Sequence, residues 1–255
     1  MMRRTKISSI GLILLLASCG GFLAAEDLTG REIMDRVDDN QFIDSARYES
    51  RMVIYDRGRE NQKEMITFAR SDGDVTNALA EFTNPRDRGT KYLLEDDELW
   101  MYFPDAEDLV RISGHMLEQR MMGSDFSYQD LLESEKLTEL YEFEKTGEET
   151  VDGRPTYVIE ATAREDQTPA YYRRKFWVDQ ERFVLLREEM FARDGRLLKD
   201  MVTRRVEEVQ PGRWMPMEMI MEDKLRQDTR TRFEITEIDL DYDIPEGKIS
   251  LRSLQ

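Results

Sequence analysis

Alternation of apolar and polar side chains, without a long helical segment between the alternating stretches, dominates this chain from Ala46 onward. Such alternation is typical of half-buried β-strands. Turn signals such as Asp56-Arg57-Gly58 and Pro211-Gly212 separate the stretches, at the spacing expected of an up-and-down meander. The pattern predicts roughly eleven to thirteen antiparallel strands and excludes a parallel sheet of βαβ units.

A sheet of this size is expected to curl, and a curled sheet has an inside. One helical pattern precedes the strands and another interrupts them. Residues 30–39 follow a capping box between Thr29 and Glu32, and two short helices are expected on either side of Gly123. We therefore predict a mainly β fold: a half-open antiparallel barrel with an N-terminal helix and short helices that form a lid across its mouth.

The N-terminus has the pattern of an export signal. A basic start at residues 3–6 precedes an apolar run over residues 7–16, which is too short to span a bilayer. Leu16-Ala17-Ser18-Cys19 resembles the end of bacterial lipoprotein signals, where Leu and two small residues precede Cys. Two interpretations stay open: cleavage before Cys19 with acylation of its sulfur, and ordinary cleavage near Ala25.

The predicted domain organisation follows from that signal. Residues 1–18 are predicted to form a lipoprotein-type signal peptide, with an alternative end near residue 25, and residues 26–255 to form a single domain. The mature protein is expected on the periplasmic side of the cell envelope, where it is held by a lipid anchor if Cys19 is acylated and is soluble otherwise.

Charge and composition exclude several functions. The chain has 54 acidic and 37 basic side chains, for a formal net charge of −17, which makes nucleic acid an unsuitable partner. Cys19 and His115 are the only cysteine and histidine, so Ser-His-Asp and Cys-His catalysis and His/Cys zinc sites lack their parts. We predict no catalytic residue, metal or cofactor, and a carboxylate-dependent hydrolase remains as an enzymatic alternative.

Methionines occupy every second position of one predicted strand: Met215, Met217, Met219 and Met221. Alternate positions point to one face of a sheet, and flexible, polarizable methionine forms a surface that repacks around different apolar ligands. We predict that this row lines a lipid cavity. The other residues assigned to the cavity are Met116, Met121 and Met122 on the lid, and Trp100. The alternative is that the row only fills an irregular core.

Cations and aromatic residues alternate over residues 171–177. Arg173 and Lys175 are expected to share a face with Tyr171 and Trp177 and to contact a lipid headgroup at the cavity rim. The alternative is a solvated outer face that balances the acidic surroundings.

Several segments together resemble the bacterial outer membrane lipoprotein-sorting protein group, which is similar to the LolA and LolB lipoprotein carriers. The segments are FTNPRDRGTKY at residues 82–92, ELWMYFP at 98–104, RISGH at 111–115, MMGSDFSY at 121–128, RRKFWVD at 173–179, MEDK at 221–224 and ISL at 249–251. The resemblance therefore covers nearly all of the chain after the signal.

The resemblance implies an unclosed barrel, lined by apolar side chains and lidded by helices, that shields the acyl chains of a lipoprotein. In the well-studied carriers an arginine inside the barrel holds the lid shut. Its motif has no match here, and Arg51 on the first strand is the positional candidate. A chain anchored through Cys19 would look more like a LolB-type acceptor than a soluble shuttle.

The expected function is a non-enzymatic carrier or acceptor in outer membrane lipoprotein sorting. Its expected partners are lipoprotein or lipid acyl chains and a membrane transporter or other envelope protein. The alternative on the same fold is an interaction module that senses envelope stress.

Overall fold

The computed structural model describes residues 28–42, 44–72, 75–134 and 136–254. The export signal predicted for the N-terminus, including Cys19, lies outside these residues. Within the described ranges, no helix combines the length and the apolar character needed to cross a membrane.

The fold is one antiparallel sheet of thirteen strands with three short α-helices. The strands are β1 (Ser45–Asp56), β2 (Arg59–Asp72), β3 (Val75–Phe82), β4 (Lys91–Glu95), β5 (Glu98–Phe103), β6 (Asp108–Ile112), β7 (Tyr141–Val151), β8 (Arg154–Ala163), β9 (Arg173–Asp179), β10 (Leu185–Phe191), β11 (Leu197–Gln210), β12 (Arg213–Asp223) and β13 (Thr229–Leu240). The helices are α1 (Gly30–Gln41), α2 (Tyr128–Glu133) and α3 (Leu137–Leu140).

The strand order is β6-β5-β4-β3-β2-β1-β13-β12-β11-β10-β9-β8-β7. Strands that are consecutive in the chain therefore lie side by side, except β6 and β7, and β1 also pairs with β13 in the middle of the sheet. The two edges, β6 and β7, are consecutive in the chain but do not pair with each other. This arrangement confirms the predicted half-open barrel, because a closed barrel requires its first and last strands to pair.

Helix α1 lies against the β7 end of the sheet. Its N-terminus has the predicted capping box, in which Thr29 and Glu32 each bond to the other's backbone N–H. Ile33, Met34 and Val37 are its buried apolar side chains. They pack into one cluster with residues of α3 and strands β7 to β10, which include Tyr141, Ile159, Ala161, Phe176, Val178 and Leu185.

We call the sheet face that carries α1 the inner face, and we call residues 113–134, between β6 and α3, the lid segment. The lid segment covers the inner face of β1 to β6. Its side chains Met116, Leu117, Met121, Met122, Phe126, Tyr128 and Leu132 pack with Met52, Ile54, Met65, Phe82, Tyr92, Leu99, Met101, Ile112 and other apolar residues of the sheet. We call this set of side chains the lid cluster.

The outer face of β3 to β6 is covered by the end of the chain. Leu254 is fully buried against Leu79 and Leu93, and Ile249 packs with them. Both faces of this part of the sheet are therefore buried.

The first half of the lid differs from the prediction of a helix. It has two 3₁₀ turns, Gly114–Met116 and Met121–Gly123, and Arg120 between them is extended. Met122 adopts a left-handed φ of 52° and Gly123 one of 82°, which an α-helix cannot accommodate. The second half agrees with the prediction, because α2 begins with a capping box between Ser127 and Asp130.

Candidate functional site

The methionine row of β12 lies on the inner face. Met219 pairs with Phe233 and Met221 with Thr231 on β13, and Phe233 packs into the lid cluster. Met215, Met217 and Met221 are 6%, 3% and 2% exposed, whereas Met219 is only partly buried. The row is therefore covered by other side chains of the protein.

The row and the lid methionines join through two phenylalanines. Met215 and Met217 pack with Ile235 and Phe233, and Met221 packs in a cluster that includes Phe126. Phe126 and Phe233 also belong to the lid cluster, and their ring centroids are 6.5 Å apart. A continuous apolar contact thus runs from the lid methionines, Met116, Met121 and Met122, to the row on β12.

Trp100 differs from its predicted position. It packs with Leu79, Leu93 and Leu254 on the outer face, whereas Leu99 and Met101 pack into the lid cluster. Successive side chains of a strand point to opposite faces, so the inward orientation of Leu99 and Met101 turns Trp100 away from the methionines.

Carboxylates of the lid segment make polar contacts with the inner face at three points. The first is Asp125, which is 1% exposed. Its carboxylate accepts hydrogen bonds from the hydroxyls of Thr229, at 2.8 Å, and Thr231, at 2.6 Å. The backbone N–H of Asp125 donates to Thr231 Oγ1 at 2.9 Å. The lid is thereby tied to the start of β13.

The second point is Asp130 on α2. Its carboxylate lies 2.5 Å from Lys199 Nζ on β11 and accepts a 2.5 Å hydrogen bond from the Tyr171 hydroxyl. Burial by itself raises the pKa of Asp130, but the Lys199 ammonium and the hydrogen bonds to the carboxylate outweigh it and hold the pKa below its usual value. Asp130 is therefore charged when the lid is closed.

The third point is Glu133, also on α2. Glu133 Oε2 lies 3.4 Å from Arg174 Nη2 on β9, and Glu133 Oε1 accepts a 2.8 Å hydrogen bond from the backbone N–H of Ala170. Arg174 is 4% exposed and donates to Glu188 at 2.8 Å and to the Tyr141 hydroxyl at 3.1 Å. Burial lowers the pKa of Arg174, but Glu188 and Tyr141 outweigh this and raise it, so the guanidinium stays charged.

Arg51 differs from its suggested position inside the barrel. Its guanidinium lies 2.8 Å from Glu234, on the face opposite to Met52, which packs into the lid cluster. The arginine that contacts the lid from inside is Arg174. The sequence analysis did not single out Arg174. The signal was its spacing, because Arg174 points to the same face of β9 as Phe176 and Val178, which are both buried against α1.

Arg173 and Lys175 lie on the outer face of β9. Arg173 contacts Glu160 at 3.1 Å and lies over the Phe191 ring at 3.9 Å, and Lys175 lies over the Trp177 ring at 4.5 Å. Tyr171, predicted on this face, instead lies inside and bonds to the lid. Arg173 and Lys175 are therefore directed away from the lid cluster.

A cavity of about 430 Å³ lies at the end of the barrel where β12 and β13 are joined. It is lined by Tyr55, Gly58, Glu222, Asp223, Lys224, Arg226, Asp228, Thr229 and Arg230. Its lining is mostly charged and contains none of the predicted cavity methionines. Among the described residues, no group of three or more His, Cys, Asp or Glu side chains is arranged to hold a metal ion.

A protein-family model described as "-like: Uncharacterized protein" matches residues 74–255. Among curated proteins, the sigma-E factor regulatory protein RseB of Haemophilus influenzae is 26% identical over 196 residues, which are 76% of this chain and 56% of the relative. The chain therefore spans little more than half the length of this curated relative.

Three solved structures share the fold. A DUF1329 family protein from Desulfovibrio piger has a TM-score of 0.82 and 26% identity, and the match covers 89% of this chain and 98% of that one. A putative outer membrane lipoprotein-sorting protein domain from Vibrio parahaemolyticus has a TM-score of 0.78 and 22% identity, covering 88% and 97%. A LolA superfamily protein from Nitrosomonas europaea has a TM-score of 0.71 and 23% identity, covering 89% and 99%. The chain belongs to the family whose model spans residues 74–255, and its fold is the LolA-like fold of the outer membrane lipoprotein-sorting proteins.

Proposed function

We propose that this protein is a non-enzymatic carrier or acceptor of the cell envelope that shields acyl chains of lipoproteins or lipids inside the half-open barrel. One observation carries the proposal: the apolar inner wall of β1 to β6, which joins the methionine row through Phe126 and Phe233, lies under a lid segment that is held by separate polar contacts at Asp125, Asp130 and Glu133. Release of these contacts would uncover apolar surface without breaking the strand ladder.

Burial of hydrocarbon would drive binding. Each buried CH₂ group contributes about 0.8 kcal/mol, so a long acyl chain supplies on the order of 10 kcal/mol before ordering costs. In the closed form, Met221, Phe126 and Phe233 are packed against other apolar side chains along the proposed path of the acyl chain. Methionine side chains change rotamer readily, so we propose that they move aside for the ligand. The lid residues Met116, Met121 and Met122 would contact the chain from the opposite side.

Native mass spectrometry of the full-length protein tests this function. The purified protein should retain acyl ligands in stoichiometric amounts. A variant with Met217→Glu and Met219→Glu should lose them while keeping its β circular dichroism signal. Ile220→Glu, on the same strand but with its side chain on the outer face, is the matched control. Equal ligand content in the three proteins would contradict the proposed wall.

We also propose that the protein works at the periplasmic side of the envelope and that Cys19 is acylated. An anchored chain would act as an acceptor and a soluble one as a shuttle. Metabolic labelling with a radioactive fatty acid distinguishes them: wild-type protein should be labelled and Cys19→Ala should not. Equal labelling of both proteins would contradict acylation at this residue.

A second candidate function is an interaction module that senses envelope stress. It is favoured by the 26% identity to RseB, whose name describes regulation of the sigma-E factor. A sensor would be purified without ligand and would form a complex with the periplasmic part of a membrane protein. Retained acyl ligand together with transfer to an acceptor would favour the carrier.

A carboxylate-dependent hydrolase has less support. Three acidic side chains between the lid and the sheet, Asp130, Glu133 and Glu188, are each paired with Lys199 or Arg174. Asp130 is a poor general acid, because the Lys199 ammonium and the hydrogen bonds to its carboxylate hold its pKa below the usual value. Burial raises the pKa of Glu188, although the Arg174 guanidinium beside it acts in the opposite direction. Loss of a measured hydrolysis on replacement of one of these residues, with folding intact, would revive this alternative.

A further inference from the structure

Two buried cations stand side by side on the inner face of the sheet. Arg174 on β9 pairs with Met190 on β10, and Met190 pairs with Lys199 on β11. The three residues thus form one row across three strands, and neighbouring strands are about 4.8 Å apart. The side chains of Arg174 and Lys199 are 5% and 12% exposed. Both cations therefore need partners inside the protein.

Most of their charge balance comes from the lid. Lys199 is paired with Asp130, and Arg174 is paired with Glu133 and Glu188. Asp130 and Glu133 belong to α2, whereas Glu188 belongs to β10. When α2 leaves the sheet, two cations share one carboxylate. A buried charge without a partner is strongly unfavourable, so the open form requires a replacement anion or water at this place.

The same place adjoins apolar surface. Tyr171, Met190 and Met221 form one buried cluster, with Met201 packed against it. Arg174 lies 5.0 Å from the Tyr171 ring centroid and Lys199 lies 5.7 Å from it. A ligand that combines a hydrocarbon chain with an anionic oxygen group matches this combination, because guanidinium and ammonium groups bind carboxylate and phosphate oxygens.

We infer that Arg174 and Lys199 form the binding site for the anionic group of an acyl ligand, a carboxylate or a phosphate, which takes the places of Asp130 and Glu133 when the lid opens. This inference rests on the proposed function and names the ligand class. The lid carboxylates and the ligand's anion compete for the same two cations. A neutral acyl ligand leaves the cations unbalanced and is therefore bound less tightly.

Two probes with the same chain separate the charge from the hydrocarbon: cis-parinaric acid, an anionic fluorescent fatty acid, and its uncharged methyl ester. Both are titrated into the full-length protein at neutral pH. We expect the acid to bind about tenfold more tightly than the ester, which corresponds to one charge-assisted hydrogen bond. Inorganic phosphate serves as an anion without a chain and should not displace the bound acid.

Three kinds of variant test the residues. Two cation variants also replace the paired carboxylates, so that no buried carboxylate is orphaned: Lys199→Met with Asp130→Asn, and Arg174→Met with Glu133→Gln and Glu188→Met. Each should lower the acid-to-ester ratio toward one. Lys175→Met, on the outer face of β9, should leave the ratio unchanged. Asp130→Asn weakens the lid contact but keeps both cations, so it should strengthen binding of both probes and preserve the ratio.

The outcomes are distinguishable. Equal binding of acid and ester by the wild type, or a ratio that survives in both cation variants, overturns this inference while the carrier function stands. Displacement of the acid by inorganic phosphate also overturns it, because it indicates a free-anion site. Absence of binding of either probe to the wild type and to Asp130→Asn overturns both the inference and the proposed function.

Discussion

Glu133 on the lid helix lies 3.4 Å from Arg174 on β9, and the two residues are only 7% and 4% exposed. The pair is part of a buried network in which Arg174 also binds Glu188. Such networks add little net stability when complete, but each member depends on the others for its charge balance. The network therefore fixes the position of the lid.

Removal of Arg174 alone should be strongly destabilising. Arg174→Met leaves Glu133 and Glu188 without their cation, and an orphaned buried charge costs about 3–5 kcal/mol in the free energy of unfolding. Urea denaturation followed by circular dichroism measures this loss. The double variant with Arg174→Met and Glu188→Met should be clearly more stable than the single one. Equal losses in the two proteins would show that charge balance is not the cause.

Removal of the Asp125 carboxylate should free the lid while the barrel stays folded. Asp125→Ala deletes the acceptor of two threonine hydrogen bonds, which costs about 1–3 kcal/mol. In limited proteolysis, the rate of cleavage within residues 114–127 should then be higher in this variant than in the wild type. Glu118→Ala, at an exposed position of the same segment, is the control and should be cleaved at the wild-type rate. Unchanged cleavage of Asp125→Ala would mean that this contact does not hold the lid.

The stability of α1 should depend on pH through Asp38. Burial, reinforced by the negative charge of Asp35, raises the pKa of Asp38 from 3.8 to about 6. A group whose pKa is higher in the folded than in the unfolded protein contributes stability at pH values below its unfolded pKa. This contribution is lost as the pH rises through the folded pKa.

Asparagine does not ionise, so the Asp38→Asn variant avoids the loss of stability that accompanies ionisation of Asp38. The melting temperature of this variant should exceed that of the wild type at pH 7 and match it near about pH 3.5. Thermal melts at both pH values measure the difference. Asp39→Asn, at an exposed position of the same helix, controls for the change in net charge. A constant difference between Asp38→Asn and the wild type at the two pH values would contradict the assignment.

Gly30 should tolerate no side chain, because α1 begins directly on the backbone of β7. A Cβ atom at Gly30 would lie 2.9 Å from the backbone nitrogen of Lys145. Gly30→Ala should therefore destabilise the protein by about 1–3 kcal/mol through overpacking. Gly147→Ala on β7, where a Cβ atom meets nothing within 4 Å, is the control for chemical denaturation. If Gly30→Ala lowered the free energy of unfolding by as little as the control does, α1 would be able to move away from β7 to accommodate the methyl group.

Local patterns predicted much of this fold. Period-two alternation located the strands, and the Thr29–Glu32 capping box located α1, because both signals depend only on neighbouring residues. The chain connectivity of a meander then fixed the order of the strands. The methionines of β12 lie on one face for the same reason.

Local patterns do not predict which side chains of each strand point inward, nor which residues of the sheet contact the lid. Alternation separates Arg174 from Arg173 and Lys175 but does not say which set points inward, and that choice depends on α1 and the lid, which are distant in sequence. The same uncertainty applied to Trp100 and Arg51. The contacts Glu133–Arg174 and Phe126–Phe233 join residues that are at least 41 positions apart in the chain. At such a separation, a single sequence does not indicate which residues are in contact.

The missing pair between β6 and β7 has a mechanical consequence. The twelve ladders of the described strands lie elsewhere, so a change in the distance between the two edges would not require any of these ladders to break. Strand twist changes at little energetic cost compared with the loss of a ladder. If the proposed carrier function holds, an open circumference of this kind would let acyl chains of different girth fit the same set of strands.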